Sequence, residues 1–467
     1  MLAAIVFTAQ LLLSPCTVDG VSGPVRCGTF PVWENRAAQG GRKIDLSIIV
    51  VGALSDRKQS DPLFLLAGGP GDAPSFNASF FSRVFAKLRQ NRDLVLVDLR
   101  GTGKSNPLTC PELREPNAGG FLDENILSVP KVEACRDRLK ITSDLQQYTT
   151  ETAVDDLDEV RLALGYRKIN LYGTSYGTRV AQVYMRRHPA SIRTVSLKGI
   201  VPPSMASPET HARASEDAWE TLLRRCRTDE TCRKEFPSPE ADLRTMLTHL
   251  QDSPVLSMPG SEDPRLKIKV SPGLFGEVFR FFLYSPETEA RGLTLLRDIT
   301  HTDKPGLIEN VLGGRRLLSG NRLAAGFFLS VSCTEDVPYL PKEIAPLVAG
   351  TFGGDYRLRQ QIDACVVWPK GKVSKEHRKP TDSLIPSLLL SGEFDPVTPP
   401  AGGKEVLRGL RNGLHVVIKN NGHPMGNAEQ CVGSMIAAFI EKGDVNGLDT
   451  SCAATIPAVP LIVSAAK

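Results

Sequence analysis

Short apolar runs rich in β-branched residues recur in the first two hundred residues of the chain and again near its end. Runs of this length and composition predict β-strands. They lie at 44–51, 63–66, 94–97, 169–172, 195–197, 388–390 and 416–418. Amphipathic helical patterns lie between or beyond them, at 80–88, 153–164, 178–187 and 431–442. Strands that alternate with helices in this way are typical of a mostly parallel α/β sheet.

The pattern changes in the second half of the chain. Between about 203 and 380, proline-rich joints alternate with charged amphipathic segments such as 209–227, and clear strand patterns are nearly absent. We therefore predict a core in two parts, 27–202 and 381–467, with a largely helical cap, 203–380, inserted between them.

The composition is that of a large folded protein, with 467 residues, 41% of them hydrophobic and 23% charged. This balance excludes a disordered or fibrous chain. The formal net charge is +4 and neither sign of charge forms a long run, which argues against a nucleic-acid partner. Beyond the N-terminus no apolar stretch is long enough for a bilayer, so we expect no membrane span.

The first thirteen residues carry no charge and have only Thr8 and Gln10 as polar interruptions. Such a segment is too short to span a bilayer and is typical of the apolar part of a secretory signal. We therefore predict a signal segment at 1–15, with its cleavage site left open, and a secreted or periplasmic protein. Lipid anchoring at Cys16 is the weaker alternative, because Pro15 departs from the small-residue pattern of an acylation site.

The ten cysteines fall along the chain as near neighbours, and an exported chain favours disulfides. We expect sequential pairing, although spacing alone does not fix the connectivity. The expected pairs are Cys16 with Cys27, Cys110 with Cys135, Cys226 with Cys232, Cys333 with Cys365, and Cys431 with Cys452. Because no C-x-x-C pair, H-E-x-x-H motif or close Cys/His cluster occurs, we expect no metal site.

Residues 173–177 read Gly-Thr-Ser-Tyr-Gly, which fits the G-x-S-x-G nucleophile motif. An apolar run precedes the motif and a helical pattern follows it, as a sharp strand-to-helix turn requires. This context predicts that Ser175 is an exposed nucleophile, whereas a Gly-rich structural turn is the alternative.

A serine hydroxyl is a weak nucleophile, so it needs an imidazole base that is oriented by a carboxylate. In α/β-hydrolases, whose nucleophile lies on such a turn, the acid and then the histidine follow the serine in the chain. Asp395 comes just after the run 388–390 and is stiffened by Pro396, so we predict that it is the acid. Glu393 is the rival, but it lies closer to the end of the strand.

Two of the seven histidines follow Asp395. His415 precedes an apolar run and is predicted to belong to that strand. His423 lies in an Asn-Asn-Gly-His-Pro turn, from which a side chain can point into a site. We therefore predict that His423 is the base.

Two glycine-rich loops follow strand predictions. Residues 67–71, Ala-Gly-Gly-Pro-Gly, lie at the place where α/β-hydrolases supply one N–H of the oxyanion hole, and the residue after the nucleophile supplies the other. The expected donors are Gly69 and Tyr176; Gly71 remains an alternative, whereas Pro70 has no N–H. Residues 100–105 end in Gly-Lys-Ser but lack the spacing of a phosphate-binding loop.

Together these motifs resemble the secreted bacterial members of the proline iminopeptidase and tripeptidyl aminopeptidase branch of the α/β-hydrolases. The segments that carry the resemblance are 27–30, 34–36, 68–71, 98–105, 173–177, 392–399 and 422–424. The resemblance implies an α/β-hydrolase fold, a cap and a C-terminal region like that of the tripeptidyl aminopeptidases, with Ser175, Asp395 and His423 as the triad. Ala67 stands where many relatives have His, which leaves the substrate preference open.

An aminopeptidase must hold the charged N-terminus of its substrate, and a carboxylate from the cap can do so. Residues 333–336 resemble the Cys-x-acid stretch of that branch, which implies Glu335 for this role. We predict an exported serine hydrolase that releases amino acids or short peptides from peptide N-termini. A carboxylesterase with the same triad is the alternative, and a non-catalytic hydrolase-like binding protein is the third hypothesis.

The predicted substrate is thus a peptide or a small acyl compound, and no cofactor is implied. The sequence does not give the oligomeric state, the number of residues released per cut or any preference for proline.

Overall fold

One nine-stranded sheet forms the centre of the fold. The computed structural model describes residues 11–113, 125–253, 255–257, 267–301 and 322–461. The strands are β1 Ser14–Pro15, β2 Val25–Trp33, β3 Lys43–Val51, β4 Leu63–Leu66, β5 Leu94–Val97, β6 Ile169–Thr174, β7 Ile192–Lys198, β8 Val255–Ser257, β9 Lys267–Lys269, β10 Ser387–Gly392 and β11 Gly413–Ile418. The large sheet has the order β1-β2-β3-β5-β4-β6-β7-β10-β11, and β8 and β9 form a separate hairpin.

The sheet is antiparallel at one side and parallel over the rest. β1, β2, β3 and β5 pair antiparallel to one another. From β5 onward all neighbours are parallel, through β4, β6, β7, β10 and β11. Every residue of β4 and β5 is buried, because helices cover both faces of a parallel sheet. The predicted mostly parallel α/β sheet is therefore confirmed.

Helices connect the strands and build the cap. Those outside the interval between β7 and β10 are α1 Ala78–Val84, α2 Val129–Leu139, α3 Thr150–Ala163, α4 Tyr176–Arg187, α13 Pro400–Leu407, α14 Glu429–Lys442 and α15 Ser451–Ala454. Between β7 and β10 lie α5 His211–Thr228, α6 Glu230–Glu235, α7 Pro239–Asp252, α8 Pro272–Phe282, α9 Pro286–His301, α10 Ala325–Val331, α11 Ala345–Val348 and α12 Tyr356–Val367. We call α5–α12 the cap. Within the described residues, each helix is too short or too polar to cross a bilayer.

An aromatic cluster holds the cap helices together. The ring of Phe279 in α8 meets Trp219 of α5 edge-on, with 5.4 Å between the ring centroids. Phe352, between α11 and α12, meets the same ring edge-on at 5.5 Å. These side chains bury large apolar areas, so the cap has a hydrophobic core of its own.

All ten cysteines are joined in five disulfides. The pairs are Cys16–Cys27, Cys110–Cys135, Cys226–Cys232, Cys333–Cys365 and Cys431–Cys452. The first fastens the start of the described chain to β2, where Ser14 and Pro15 pair with Cys27 and Arg26. The predicted signal segment, 1–15, therefore reaches into the sheet, and its residues 1–10 lie outside the described part. A sulfur engaged in a disulfide cannot carry a lipid thioether, so this structure does not fit lipid anchoring at Cys16.

The structure differs from the sequence predictions in several short or partly exposed strands, namely β1, β2, β8 and β9, and in the bounds of one helix. The strand β2 was not predicted, because its sequence VRCGTFPVW mixes polar and small residues into a partly exposed strand. The helix predicted at 80–88 begins at Ala78 and ends at Val84, and a short 3-10 turn, Leu88–Gln90, follows it. The described residues at the other strand and helix predictions have the expected type of structure, with bounds shifted by a few positions.

Candidate functional site

Ser175 occupies a strained turn between β6 and α4. Its backbone has φ 55° and ψ −123°, a conformation that non-glycine residues rarely adopt. The turn needs glycine on both sides: a Cβ at Gly173 would lie 2.4 Å from the Gly177 carbonyl oxygen, and one at Gly177 would lie 2.3 Å from the Leu66 carbonyl oxygen. The Gly-x-Ser-x-Gly pattern therefore follows from the close approach of backbones. The turn raises Ser175 at the carboxyl end of the parallel strands.

Asp395 and His423 form a direct pair in the loops after β10 and β11. Nδ1 of His423 lies 2.7 Å from Oδ2 of Asp395. The other oxygen, Oδ1, accepts hydrogen bonds from the N–H groups of Val397 and Thr398, both at 2.8 Å. Burial alone would raise the pKa of Asp395, but His423 and the Thr398 hydrogen bonds outweigh burial and hold that pKa below its usual value. Asp395 is therefore an ionised acceptor.

This pairing fixes the tautomer of the imidazole. Because the Asp395 carboxylate can only accept, Nδ1 of His423 carries the proton and Nε2 is left as a proton acceptor. Glu393, the rival acid, is exposed and accepts instead from the N–H of Asn420 at 2.8 Å. The structure thus places Asp395, and not Glu393, against the histidine. His415 lies in β11, as predicted, with Nε2 2.9 Å from Oγ of Ser391.

Ser175 and His423 line one cavity of about 490 Å³ between the core and the cap. Gly68 and Gly69 line it too, and a Cβ at Gly68 would lie 3.1 Å from Cβ of Ser175. Gly69, Ser175 and Tyr176 also line an adjoining recess of about 50 Å³. Tyr176 is the first residue of α4, so its N–H has no acceptor within the helix. The arrangement offers a serine, an imidazole and amide groups around one space.

Comparison with known proteins identifies the family of the chain. Residues 61–425 match the family described as alpha/beta hydrolase fold. The chain belongs to the alpha/beta hydrolase fold family. It is an enzyme, a serine hydrolase.

Two curated relatives resemble this hydrolase over nearly its whole length. Serine protease Hip1 of Mycobacterium tuberculosis (strain ATCC 25618 / H37Rv) is 25% identical, over 92% of this chain and 88% of that protein. Tripeptidyl aminopeptidase of Streptomyces coelicolor (strain ATCC BAA-471 / A3(2) / M145) is 24% identical, over 94% of this chain and 85% of that protein.

Among solved structures, proline iminopeptidase from Mycobacterium smegmatis aligns with a TM-score of 0.43 and 15% identity, over 90% of this chain and 99% of that one. A likeness this distant has no bearing on activity.

Glu335 does not line the cavity of the hydrolase. It is fully buried in a π-helical turn, Ser332–Asp336, where Oε1 accepts from the Thr150 N–H and Oε2 from the Thr150 hydroxyl, both at 2.6 Å. The Thr150 hydroxyl lies in turn 2.7 Å from the hydroxyl of Tyr176. Glu335 therefore supports the residue that follows the nucleophile, and both of its oxygens are occupied by Thr150. The structure does not bring it to the place expected for a substrate N-terminus.

Asp72 is a cavity residue that the sequence reasoning missed. It follows the 67–71 loop directly and lines the cavity together with Asn77, whose side-chain amide donates to Oδ2 of Asp72 at 3.2 Å. Burial raises the pKa of Asp72, and the hydrogen bond from the Ala73 N–H and the charge of Arg322 act against that rise. The sequence signal that could have indicated Asp72 is its position directly after the glycine-rich loop. Of the described residues that line this cavity, Asp72 is the one with a carboxylate side chain.

Lys198 is a second missed residue. It ends β7, its carbonyl oxygen accepts from the Ser175 N–H at 2.8 Å, and its side chain lines the cavity. Nζ donates to the carbonyl oxygen of Pro424 at 3.1 Å. Burial lowers the pKa of Lys198 to about 8, against the attraction of Asp395 and Glu429. No motif marks this position, because its environment comes from the loop that follows β11.

Proposed function

We propose that this serine hydrolase is an exported aminopeptidase that releases amino acids or short peptides from peptide N-termini. Ser175 is its nucleophile, His423 its general base and Asp395 its acid. The observation that carries the proposal is the 2.7 Å contact between Nδ1 of His423 and Oδ2 of Asp395. His423 lines the same cavity as Ser175. No metal or cofactor takes part in the steps that follow.

The reaction follows from the tautomer of the imidazole. Nε2 of His423 takes the proton of Ser175 as Oγ attacks the substrate carbonyl carbon, and Asp395 stabilises the imidazolium that forms. The N–H groups of Gly69 and Tyr176 stabilise the negative oxygen of the tetrahedral intermediate. His423 then protonates the leaving amine, and the acyl group stays on Ser175. A water molecule, activated by the same imidazole, releases the acyl group and restores the serine.

Specificity for a free N-terminus requires a carboxylate in the cavity. We assign this role to Asp72 in place of Glu335, because Asp72 lines the cavity whereas Glu335 is occupied by Thr150. An ammonium that binds to Asp72 would keep its carboxyl ionised and replace water at a half-buried group.

The names of the relatives, a serine protease and a tripeptidyl aminopeptidase, support amide substrates. The five disulfides support export, because disulfides persist in oxidising compartments.

One substrate panel tests the proposal. Alanyl-alanyl-alanine p-nitroanilide, its N-acetylated form and p-nitrophenyl butyrate would be compared with the wild type, Ser175→Ala and Asp72→Asn. We expect turnover of the free tripeptide amide, loss of that turnover in Ser175→Ala, and a large preference for the free over the acetylated amide. Asp72→Asn should reduce this preference by about tenfold, the usual effect of losing one charged hydrogen bond.

The same panel contains the outcomes that would contradict the proposal. Turnover confined to the ester would establish the carboxylesterase alternative, because fold and triad are common to both activities and specificity depends on the cap. If a fluorophosphonate probe labels neither Ser175 nor any other serine of the folded protein, the triad assignment is wrong and the non-catalytic alternative is favoured. Equal rates with free and acetylated amides would leave a peptidase but remove the role of Asp72.

A further inference from the structure

Two arginines of the cap line the cavity, and among the described residues they share the carboxylate of Glu277. Arg280 in α8 donates to both oxygens of Glu277, at 3.1 Å from Nε and at 2.5 Å from Nη2. Arg357 in α12 approaches the same carboxylate less closely, with Nη1 3.6 Å from Oε1. Arg280 and Arg357 both line the cavity that contains Ser175. The wall of the cap therefore carries one positive charge that Glu277 does not balance.

Within the part of the chain that the structure describes, the other side chains that bond to this pair are uncharged. Arg280 donates from Nη1 to the hydroxyl of Tyr284 at 2.7 Å, and Arg357 donates from Nε to the side-chain oxygen of Gln361 at 2.9 Å. His211 lines the same wall, and burial, followed by the charges of Arg280 and Arg357, holds its pKa well below the usual value. His211 is therefore neutral near pH 7 and adds no charge.

One polar atom of this wall also lacks a partner. Nδ1 of His211 is buried and makes no hydrogen bond within the described residues. A buried polar atom without a partner costs free energy, and so does an unbalanced cation that is partly buried, as Arg357 is. Both costs are removed if an anionic group of a ligand enters the cavity between Arg357 and His211. The anion then balances the charge of Arg357 and accepts a hydrogen bond from Nδ1–H of His211. The guanidinium of Arg357 suits this purpose, because its planar set of donors matches the two oxygens of a carboxylate.

We propose that Arg357, with Arg280 beside it, binds a carboxylate of the substrate. This deepens the proposed function and rests on it where the substrate is a peptide. The carboxylate has two possible sources in a peptide: an acidic side chain near the cleaved bond, or the free C-terminus of a short substrate. Arg357 is then a specificity-determining residue, and the hydrolase prefers acidic or short peptides over neutral, extended ones.

The first arm of the test compares charged and neutral substrates of the same shape. Tripeptide p-nitroanilides with a free N-terminus would carry Glu or Gln at one position at a time, and a free tetrapeptide would be compared with its C-terminal amide. We expect the wild type to favour one carboxylate by about tenfold in kcat/KM. A preference for Glu assigns the side chain as the source, and a preference for the free acid assigns the C-terminus. No preference in either comparison overturns the proposal.

Variants show whether a preference depends on Arg357. Arg357→Gln should abolish it, and Arg357→Lys should keep part of it, with the preference measured as the ratio of kcat/KM for the charged substrate to kcat/KM for the neutral one. Glu277 stays bonded to Arg280 in both variants, so neither leaves a buried carboxylate without a partner. Arg359→Gln is the matched control, because Arg359 lies on the same helix and is exposed, bonded to Asp355. A preference that survives Arg357→Gln overturns the proposal.

A binding arm separates this proposal from the proposed function. Isothermal titration calorimetry would compare glutarate with glutaramide on the purified protein, wild type and Arg357→Gln. Binding of glutarate alone, lost in the variant, supports the carboxylate site even if no peptide is cleaved, and the aminopeptidase proposal then fails by itself. If no peptide is cleaved and glutarate binds no better than glutaramide, the carboxylate site is wrong too.

Discussion

The backbone N–H of His423 donates a 2.8 Å hydrogen bond to the carbonyl oxygen of Tyr284. The ring of Tyr284 also meets the imidazole edge-on, with 5.5 Å between the ring centroids. Tyr284 lies two residues after the end of α8 in the cap, whereas His423 lies in the loop after β11 of the core. The position of the proposed base therefore depends on the cap, and the hydroxyl of Tyr284 links it onward to Arg280.

Gly422→Ala should disturb this contact directly. A Cβ at Gly422 would lie 2.2 Å from the Tyr284 carbonyl oxygen, so the backbone before His423 must move. Because displacements of about 1 Å in a catalytic group can cost about 100-fold, we expect kcat/KM to fall by about that factor, with a lower melting temperature. The control is Gly40→Ala, since a Cβ there would meet only the Ala38 carbonyl oxygen, at 3.6 Å. Unchanged activity in Gly422→Ala would show that the contact with Tyr284 does not position the base.

The two candidate acids can be separated by matched amide substitutions. Asp395→Asn removes the charge and allows the wrong tautomer of His423, so kcat should fall by about 10⁴-fold while the protein stays folded. Glu393→Gln should change kcat by no more than a few-fold, because the side chain of Glu393 is exposed and accepts from the loop N–H of Asn420. Steady-state kinetics on one amide substrate would measure both. A larger loss in Glu393→Gln than in Asp395→Asn would reverse the assignment of the acid.

The sequence predicted most of the core because its signals there are local. The runs 63–66 and 94–97 became the fully buried strands β4 and β5, since a strand covered on both faces is apolar throughout. β2 escaped prediction because it is partly exposed and contains Gly28 and Pro31. A strand of that kind owes its structure to pairing with β3 along its whole length, which no local pattern records.

The sequence predicted those residues of the candidate site that lie in recognisable motifs. Ser175 and His423 lie in turns with recognisable sequences, and both line one cavity. Glu335 was inferred from its place beside Cys333, but the fold turns its carboxylate to Thr150, 185 residues away in the chain. Asp72 and Arg357 reach the cavity through the packing of the cap on the core, and that packing is a property of the assembled structure.

The disulfide between Cys333 and Cys365 should matter more for stability than that between Cys226 and Cys232. The two pairs close loops with sequence separations of 32 and 6 residues, for which chain entropy predicts about 4 and about 2 kcal/mol. We therefore expect the Cys333→Ala/Cys365→Ala variant to lose more free energy of unfolding than the Cys226→Ala/Cys232→Ala variant. All four cysteines are buried, so the lost packing is similar. Urea unfolding measures both, and the reverse order would show that native contacts outweigh loop closure.

Lys198 should make stability depend on pH in the alkaline range. Burial lowers its pKa to about 8, whereas the unfolded chain keeps a pKa near 10.5. Below pH 8 both states hold the proton and the folded state bears the full cost of the buried charge. Between these values the unfolded state binds more protons, so raising the pH favours the folded protein.

Lys198→Met removes this titration. The variant should be more stable than the wild type near pH 7, and the difference should shrink as the pH rises from about 8 towards 10.5. Lys168→Met, at an exposed lysine, should leave the pH dependence of the wild type unchanged. Melting temperatures of the three proteins between pH 7 and pH 10 would provide the comparison. A constant difference between Lys198→Met and the wild type across that range would mean that Lys198 keeps its charge, held by Asp395 and Glu429 despite its burial.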